Sequence, residues 1–243
     1  MGAFLIGLCL SGLSAQAYVI RDDFTGHTTG SALNGTYTPT GNVQWDAEST
    51  FTFGNDSTNG SYLSVGGPPY GNGYAQVGFT SLSGATDIVR VQGDLHPSST
   101  DGWLSLKMGG TTAFPVSGNG ISFLVRPEGL VQLYSNAAWL ANILPYPTNP
   151  TGYVYNAGGF NTYAMEYNGA TNTLNLWANG TQIVTDQVIA SPGVIGLAGL
   201  YNNGNAGSVP SFDNFEVSVV PEPAMLALLA VGGLALGSCR RRN

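Results

Sequence analysis

Charge is scarce in this chain: Lys, Arg, Asp and Glu together make up 9% of its 243 residues, while hydrophobic residues make up 43%. A surface with so few charges must be built from Asn, Thr, Ser and Gly, and the apolar share suffices for a sizeable core, which excludes a disordered chain. Cysteine is nearly absent. Cys9 and Cys239 sit near opposite ends, so residues 18–219 hold neither a disulfide nor a thiol nucleophile. A domain of that size needs no covalent staple. Positive charge is scarcer still: between residues 18 and 220, Arg21, Arg90, Lys107 and Arg126 stand against thirteen Asp and Glu, a net of −9 that repels nucleic-acid backbones. His27 and His96 lie far apart in polar segments and read as solvated loop histidines. There is no His-Glu-x-x-His and no Gly-x-Ser-x-Gly nucleophile elbow.

What the chain has instead is turn chemistry. It carries 35 Gly and seven Asn-Gly pairs, with few strong helix formers between residues 18 and 220. That composition predicts many short strands joined by tight turns, in one all-β domain. Period-two alternation marks at least eight strands. Val89, Val91 and Leu95 alternate with Arg90, Gln92 and Asp94; Leu104, Leu106 and Met108 alternate with Trp103, Ser105 and Lys107; Ile121, Phe123 and Val125 share one face. A further strand with Tyr163, Met165 and Tyr167 on one face leads through a turn at 168–172 into Leu174 and Leu176. Asn179-Gly180 then makes a two-residue hairpin turn into a strand over 182–185. A β-helix is the alternative, but no fixed repeat period supports it.

The two ends differ from the middle. Residues 3–13 form an apolar run followed by Ala15-Gln16-Ala17, small residues that suit signal-peptidase cleavage before Tyr18. No Lys or Arg precedes the run, so the α-amino group supplies its only positive charge unless the true start lies upstream of Met1. At the other end, Val220-Pro221-Glu222-Pro223 precedes an uncharged run over 224–238, then Cys239 and Arg240, Arg241 and Arg242. Pro221 and Pro223 break the preceding strand, and Leu, Ala and Met then favour helix. A helix of that length rises only ~22 Å against a ~30 Å hydrocarbon core, but the three arginines hold its end cytoplasmic and leave everything before Pro221 outside. This order of parts resembles the PEP-CTERM sorting signal. The resemblance implies recognition by exosortase, a membrane protease-transpeptidase, with an inner-membrane intermediate and delivery to the cell surface or extracellular matrix. The expected organisation is a signal helix at 1–17, a β-domain at 18–219 and a sorting tail at 220–243 with a short transmembrane helix.

The pattern Tyr163-Ala-Met-Glu-Tyr-Asn168, followed by Leu174-Asn-Leu-Trp-Ala-Asn-Gly180, resembles the laminin-G-like branch of the concanavalin A-like sandwiches. Arg21-Asp22-Asp23-Phe24 opens the resemblance and the run from Phe212 to Val217 closes it. The implied fold is a two-sheet antiparallel jelly roll whose first and last strands are neighbours.

Glucanases of that fold carry paired Glu on one strand, because two carboxylates must flank a glycosidic bond. Glu48, Glu128, Glu166 and Glu216 are isolated here. A non-catalytic reading follows, with a glycan-active enzyme using a cross-strand Asp as the alternative. Trp103 and Trp177 fall on the phase opposite their strands' aliphatic residues, so both are expected on a polar face, where Lys107, Glu166 and Asn175 could bond the hydroxyls of a polysaccharide. The competing reading is a second small core. Trp139, Tyr146, Tyr153 and Tyr155 are read into a Pro/Asn-rich loop. Asp22 and Asp23 would meet Asp213 and Asn214 if the terminal strands pair, offering oxygen ligands suited to a structural calcium; simple solvation is the alternative.

Overall fold

The structure is a computed structural model and describes residues 18–65, 73–79, 88–97, 102–109, 120–136, 138–144, 152–190, 192, 195–203 and 210–220. Strands come in the order β1 (Tyr18–Asp22), β2 (Trp45–Ala47), β3 (Phe51–Asp56), β4 (Gly60–Val65) and β5 (Gly73–Gly78). Then follow β6 (Ile88–Leu95), β7 (Trp103–Gly109), β8 (Gly120–Val125), β9 (Val131–Ser135) and β10 (Ala138–Leu144). The last five are β11 (Asn161–Asn168), β12 (Thr173–Ala178), β13 (Thr181–Val188), β14 (Leu197–Asn203) and β15 (Pro210–Val220). Among the described residues there is no helix, and none long and apolar enough to cross a membrane. The signal helix expected at 1–17 and the tail at 221–243 lie outside the described residues.

The strands form two antiparallel sheets, as a jelly-roll sandwich requires. One runs β13-β12-β11-β6-β15-β4-β3 with β1 also on β15, and the other runs β10-β9-β8-β7-β14-β5-β2. The terminal strands are neighbours as expected: Tyr18 pairs with Val219 and Asp22 with Phe215. The central strands turn an apolar phase toward the opposite sheet. Val91, Leu95, Met165, Leu174 and Val217 from the eight-stranded sheet join Leu104, Leu106, Phe123, Leu133 and Leu200 from the seven-stranded one in a single fully buried core. Each such side chain contributes about 1.5–3 kcal/mol relative to exposure. The Asn179-Gly180 turn lies between β12 and β13 with φ of 45° and 77°, the left-handed pair that a type I′ hairpin demands.

One side of the sandwich has sealed edges. The Gly30 and Leu33 N–H groups donate to Phe53 and Phe51 carbonyls along β3, while Gly35 and Trp45 donate to Trp45 and Thr36 carbonyls along β2. On the other side β10 and β13 end their sheets, each pairing on one flank only among the described residues.

Candidate functional site

The outer face of the eight-stranded sheet reads in transverse rows set by register. One row runs Ser218, Arg90, Glu166, Asn175, and the next runs Glu216, Gln92, Ala164, Trp177, Gln182. Ala164 keeps the surface low beside the indole. The Arg90 guanidinium lies 4.7 Å over the Trp177 ring and 3.7 Å from the Glu166 carboxylate, and donates to Gln92 Oε1 at 3.3 Å. Arg90 and Glu166 are each about a third exposed, and Trp177 is half-buried. Asn175 Oδ1 accepts the Asp186 N–H at 2.9 Å and the Gln182 Nε2 at 3.0 Å across an irregularity in the β12–β13 ladder. A flat aromatic, a planar cation and a carboxylate thus stand together on an open sheet, a set able to stack on a sugar ring and bond its hydroxyls.

Trp103 and Lys107 are elsewhere, which corrects the expectation of one shared face. Both sit on β7 in the opposite sheet, so the two indoles point from opposite sides of the sandwich. The strand phase was right, but this outer face is itself packed. Trp103 stacks on Tyr201 at 5.1 Å and 25°, with Leu124, Tyr74 and Tyr134 around it, and is only 9% exposed. Lys107 is withdrawn from solvent, and burial pulls its ammonium down to about 8. It lines a shallow surface hollow with Gln76, Gly109 and Gly199.

The second aromatic set also divides. Trp139 lies on strand β10, not in a loop, and is 57% exposed. Tyr153 is buried, with its hydroxyl 2.7 Å from that of Tyr163, so it pins the loop it belongs to; Tyr146 lies outside the described residues. The histidines are not simply solvated: His27 stacks on Phe53 at 3.8 Å, and burial lowers the pKa of His96.

At the paired termini, Asp22 is fully buried and both its oxygens are taken: Oδ1 by the Phe24 N–H and Oδ2 by the Trp45 indole N–H, each at 2.8 Å. Asp23 caps Thr25 through its N–H at 3.2 Å and its hydroxyl at 2.8 Å. Asp213 faces Asp94 across the β15–β6 ladder at a bulge, where Asn214 has φ of 49° and donates to Asp94 Oδ2 at 2.8 Å. Burial, and then the charges of Asp94, Asp23 and Asp22, push Asp213 to about 7 against the pull of the Asn214 N–H. The terminal strands do bring these carboxylates into one neighbourhood. Among the described residues, however, no group of three or more His, Cys, Asp or Glu is placed to hold a metal ion.

Comparison with known proteins bears on both parts of the chain. Residues 219–242 match the PEP-CTERM protein-sorting motif, which indicates an exported chain carried by membrane-anchored sorting to the cell surface. Val220, the first residue of the Val-Pro-Glu-Pro motif, is also the last of β15. No curated protein sequence matches the chain. Among solved structures, a protein of unknown function from Shewanella oneidensis MR-1 shares the fold at TM-score 0.54 and 10% identity, over 84% of this chain and 87% of that one. The carbohydrate recognition domain of Emp47p aligns at TM-score 0.48 and 14% identity, over 84% and 95%. Domain 4 of AbnA, an extracellular arabinanase of Geobacillus stearothermophilus solved with arabinotriose, aligns at TM-score 0.48 and 13% identity, over 84% and 93%.

Proposed function

We propose that this chain is a surface-sorted, non-catalytic β-sandwich protein that holds extracellular polysaccharide on the outer face of its eight-stranded sheet. The observation that carries the reading is the Arg90 guanidinium held between the Glu166 carboxylate and the Trp177 ring. Such a pair at the surface adds only about 0–1 kcal/mol to stability, so its place in a chain with only 9% charged residues is better explained by a ligand. Sorting supplies the rest. Exosortase acts on the tail at 220–243 after a leader at 1–17 has been removed, leaving the 18–219 sandwich outside. A glycan array on the chain, repeated with Trp177→Ala, tests the binding; undiminished signal from the variant rejects this face.

A glycan-active enzyme is the second reading, favoured by Asp213 and Asp94 facing each other across the ladder, with burial pushing the Asp213 carboxyl up to about 7. Turnover of any array-positive glycan that is lost in Asp213→Asn would select it.

A further inference from the structure

We propose that β10 is a self-association edge, through which two copies of this chain pair strand to strand about a twofold axis. Three observations support it. First, the strand reads Ala138-Trp-Leu-Ala-Asn-Ile-Leu144, with no charge, proline or glycine, and it ends its sheet among the described residues. Edge strands are ordinarily guarded by charge or proline, because unpaired N–H and C=O groups template another chain. Second, the edge is exposed: Trp139 is 57% and Leu140 39% accessible, while Ile143 turns back against the core. Third, the opposite edges β2 and β3 are capped by backbone hydrogen bonds from the 30–36 segment, so this fold does seal edges where it needs to.

Charge selects the partner. Residues 129–165 contain no Asp, Glu, Lys or Arg, in a domain whose net is −9 between residues 18 and 220. Arg126 and Glu128 at the β8–β9 turn offset each other, and Asp186 lies on strand β13, which β10 touches. A polyanion finds no cation here, and a basic partner finds no anion. A second acidic copy, repelled elsewhere, meets no like charge along this strand. A twofold contact is also self-complementary, since the strand is its own antiparallel mate. Ladder irregularities at Trp139/Ala141 and Asn142/Leu144 bend β10 against β9 and limit the regular pairing to a short stretch, so the contact is reversible rather than obligate.

The test uses the full chain in detergent micelles. Sedimentation velocity across a concentration series should show a reversible dimer that tightens with added salt, because salt screens the repulsion of two acidic bodies. Leu140→Lys should weaken it by about tenfold or more, as expected for a charge forced into a desolvated contact. Because the tail could also associate, a second arm replaces Cys9 and Cys239 with Ser and places one cysteine at a time at 139, 140 and 141. Antiparallel Cα separations of about 4.5–5.5 Å suit a disulfide, so one of these should cross-link under mild oxidant at least about tenfold faster than Thr58→Cys on the far side, the loss expected when no ladder holds the thiols together. A monomer at all concentrations, a dimer indifferent to Leu140→Lys in a folded variant, or cross-linking no better than at Thr58 each overturns the proposal. So does a Trp139→Ala variant that loses glycan binding with association unchanged.

Discussion

Asp22 Oδ2 accepts the Trp45 indole N–H at 2.8 Å inside the core, joining residues 23 apart in the chain. The same carboxylate turns the chain through its Oδ1 bond from the Phe24 N–H, and Phe24 takes φ of 54°, a backbone state a bulky residue adopts only when its surroundings impose it. Phe24 thereby enters the core 6.1 Å from the Trp45 ring, which lies 5.1 Å from Phe215 on the last strand. First strand, second strand and last strand are locked through one carboxylate.

Asp22→Ala should therefore destabilise the domain by about 2–4 kcal/mol, since it strands a buried indole N–H and releases the strained turn. Asp22→Asn should recover less than half of that, because an amide has one acceptor atom for two donors. Denaturant midpoints of the two variants decide it; equal stability of wild type and Asp22→Ala would rule out the lock.

Trp103 and Trp177 should respond in opposite ways. Trp103→Ala removes a ring that is 9% exposed and stacked on Tyr201, and should cost about 3–5 kcal/mol with glycan affinity unchanged in the folded fraction. Trp177→Ala loses a half-buried ring and its contact with Arg90, costing about 1–2 kcal/mol of stability. Unlike Trp103→Ala, it also weakens ligand binding, where one lost stacking partner at about 0.5–1.5 kcal/mol lowers affinity by up to about tenfold. Thermal midpoints and a titration on any array-positive glycan separate the two.

These contrasts mark what the sequence makes legible. Strands β6, β11 and β12 alternate cleanly, so their inward and outward residues follow from period two alone, and Trp177 faces outward as its phase requires. Trp103 has the same phase signature and the opposite fate, because its neighbours Tyr74, Leu124, Tyr134 and Tyr201 arrive from other strands of the sheet. Phase reports which face a residue is on; it carries nothing about whether that face is covered. Strand β10 escaped detection because its two ladder irregularities interrupt the alternation. The Asp22–Trp45 bond escaped because pairing across strands depends on topology.

For the tail, mature surface protein should lack the residues beyond the Pro221-Glu222-Pro223 region, since the sorting motif at 219–242 marks the segment for processing. Intact-mass analysis of the surface-extracted protein reads this directly. Deleting the sorting enzyme should leave the uncleaved form in the inner membrane. Mature protein that retains Arg240, Arg241 and Arg242 would contradict the assignment.

The final prediction concerns pH. Asp213 is raised from the ordinary 3.8 to about 7 by burial first, with Asp94, Asp23 and Asp22 adding to it. The folded protein thus keeps a proton that the unfolded chain releases above about pH 4, and stability falls wherever the native state binds more protons than the unfolded one. The stabilisation from this group is complete below about pH 4, declines as pH rises, and is gone once pH passes about 7. Three units would correspond to about 4 kcal/mol, but Asp213 is only partly buried, and solvent screening reduces the expectation to about 1–2 kcal/mol. Asp213→Asn keeps an oxygen for the Asn214 N–H, which Asp213 Oδ1 accepts at 2.8 Å, and cannot ionise. The variant should match wild type near pH 4, exceed it by about 1–2 kcal/mol at pH 8, and show a flatter profile between. Urea denaturation at several pH values measures the difference curve, in which other titrating groups such as Asp22 and His96 largely cancel. A difference that is constant from pH 4 to 8 would place the proton elsewhere.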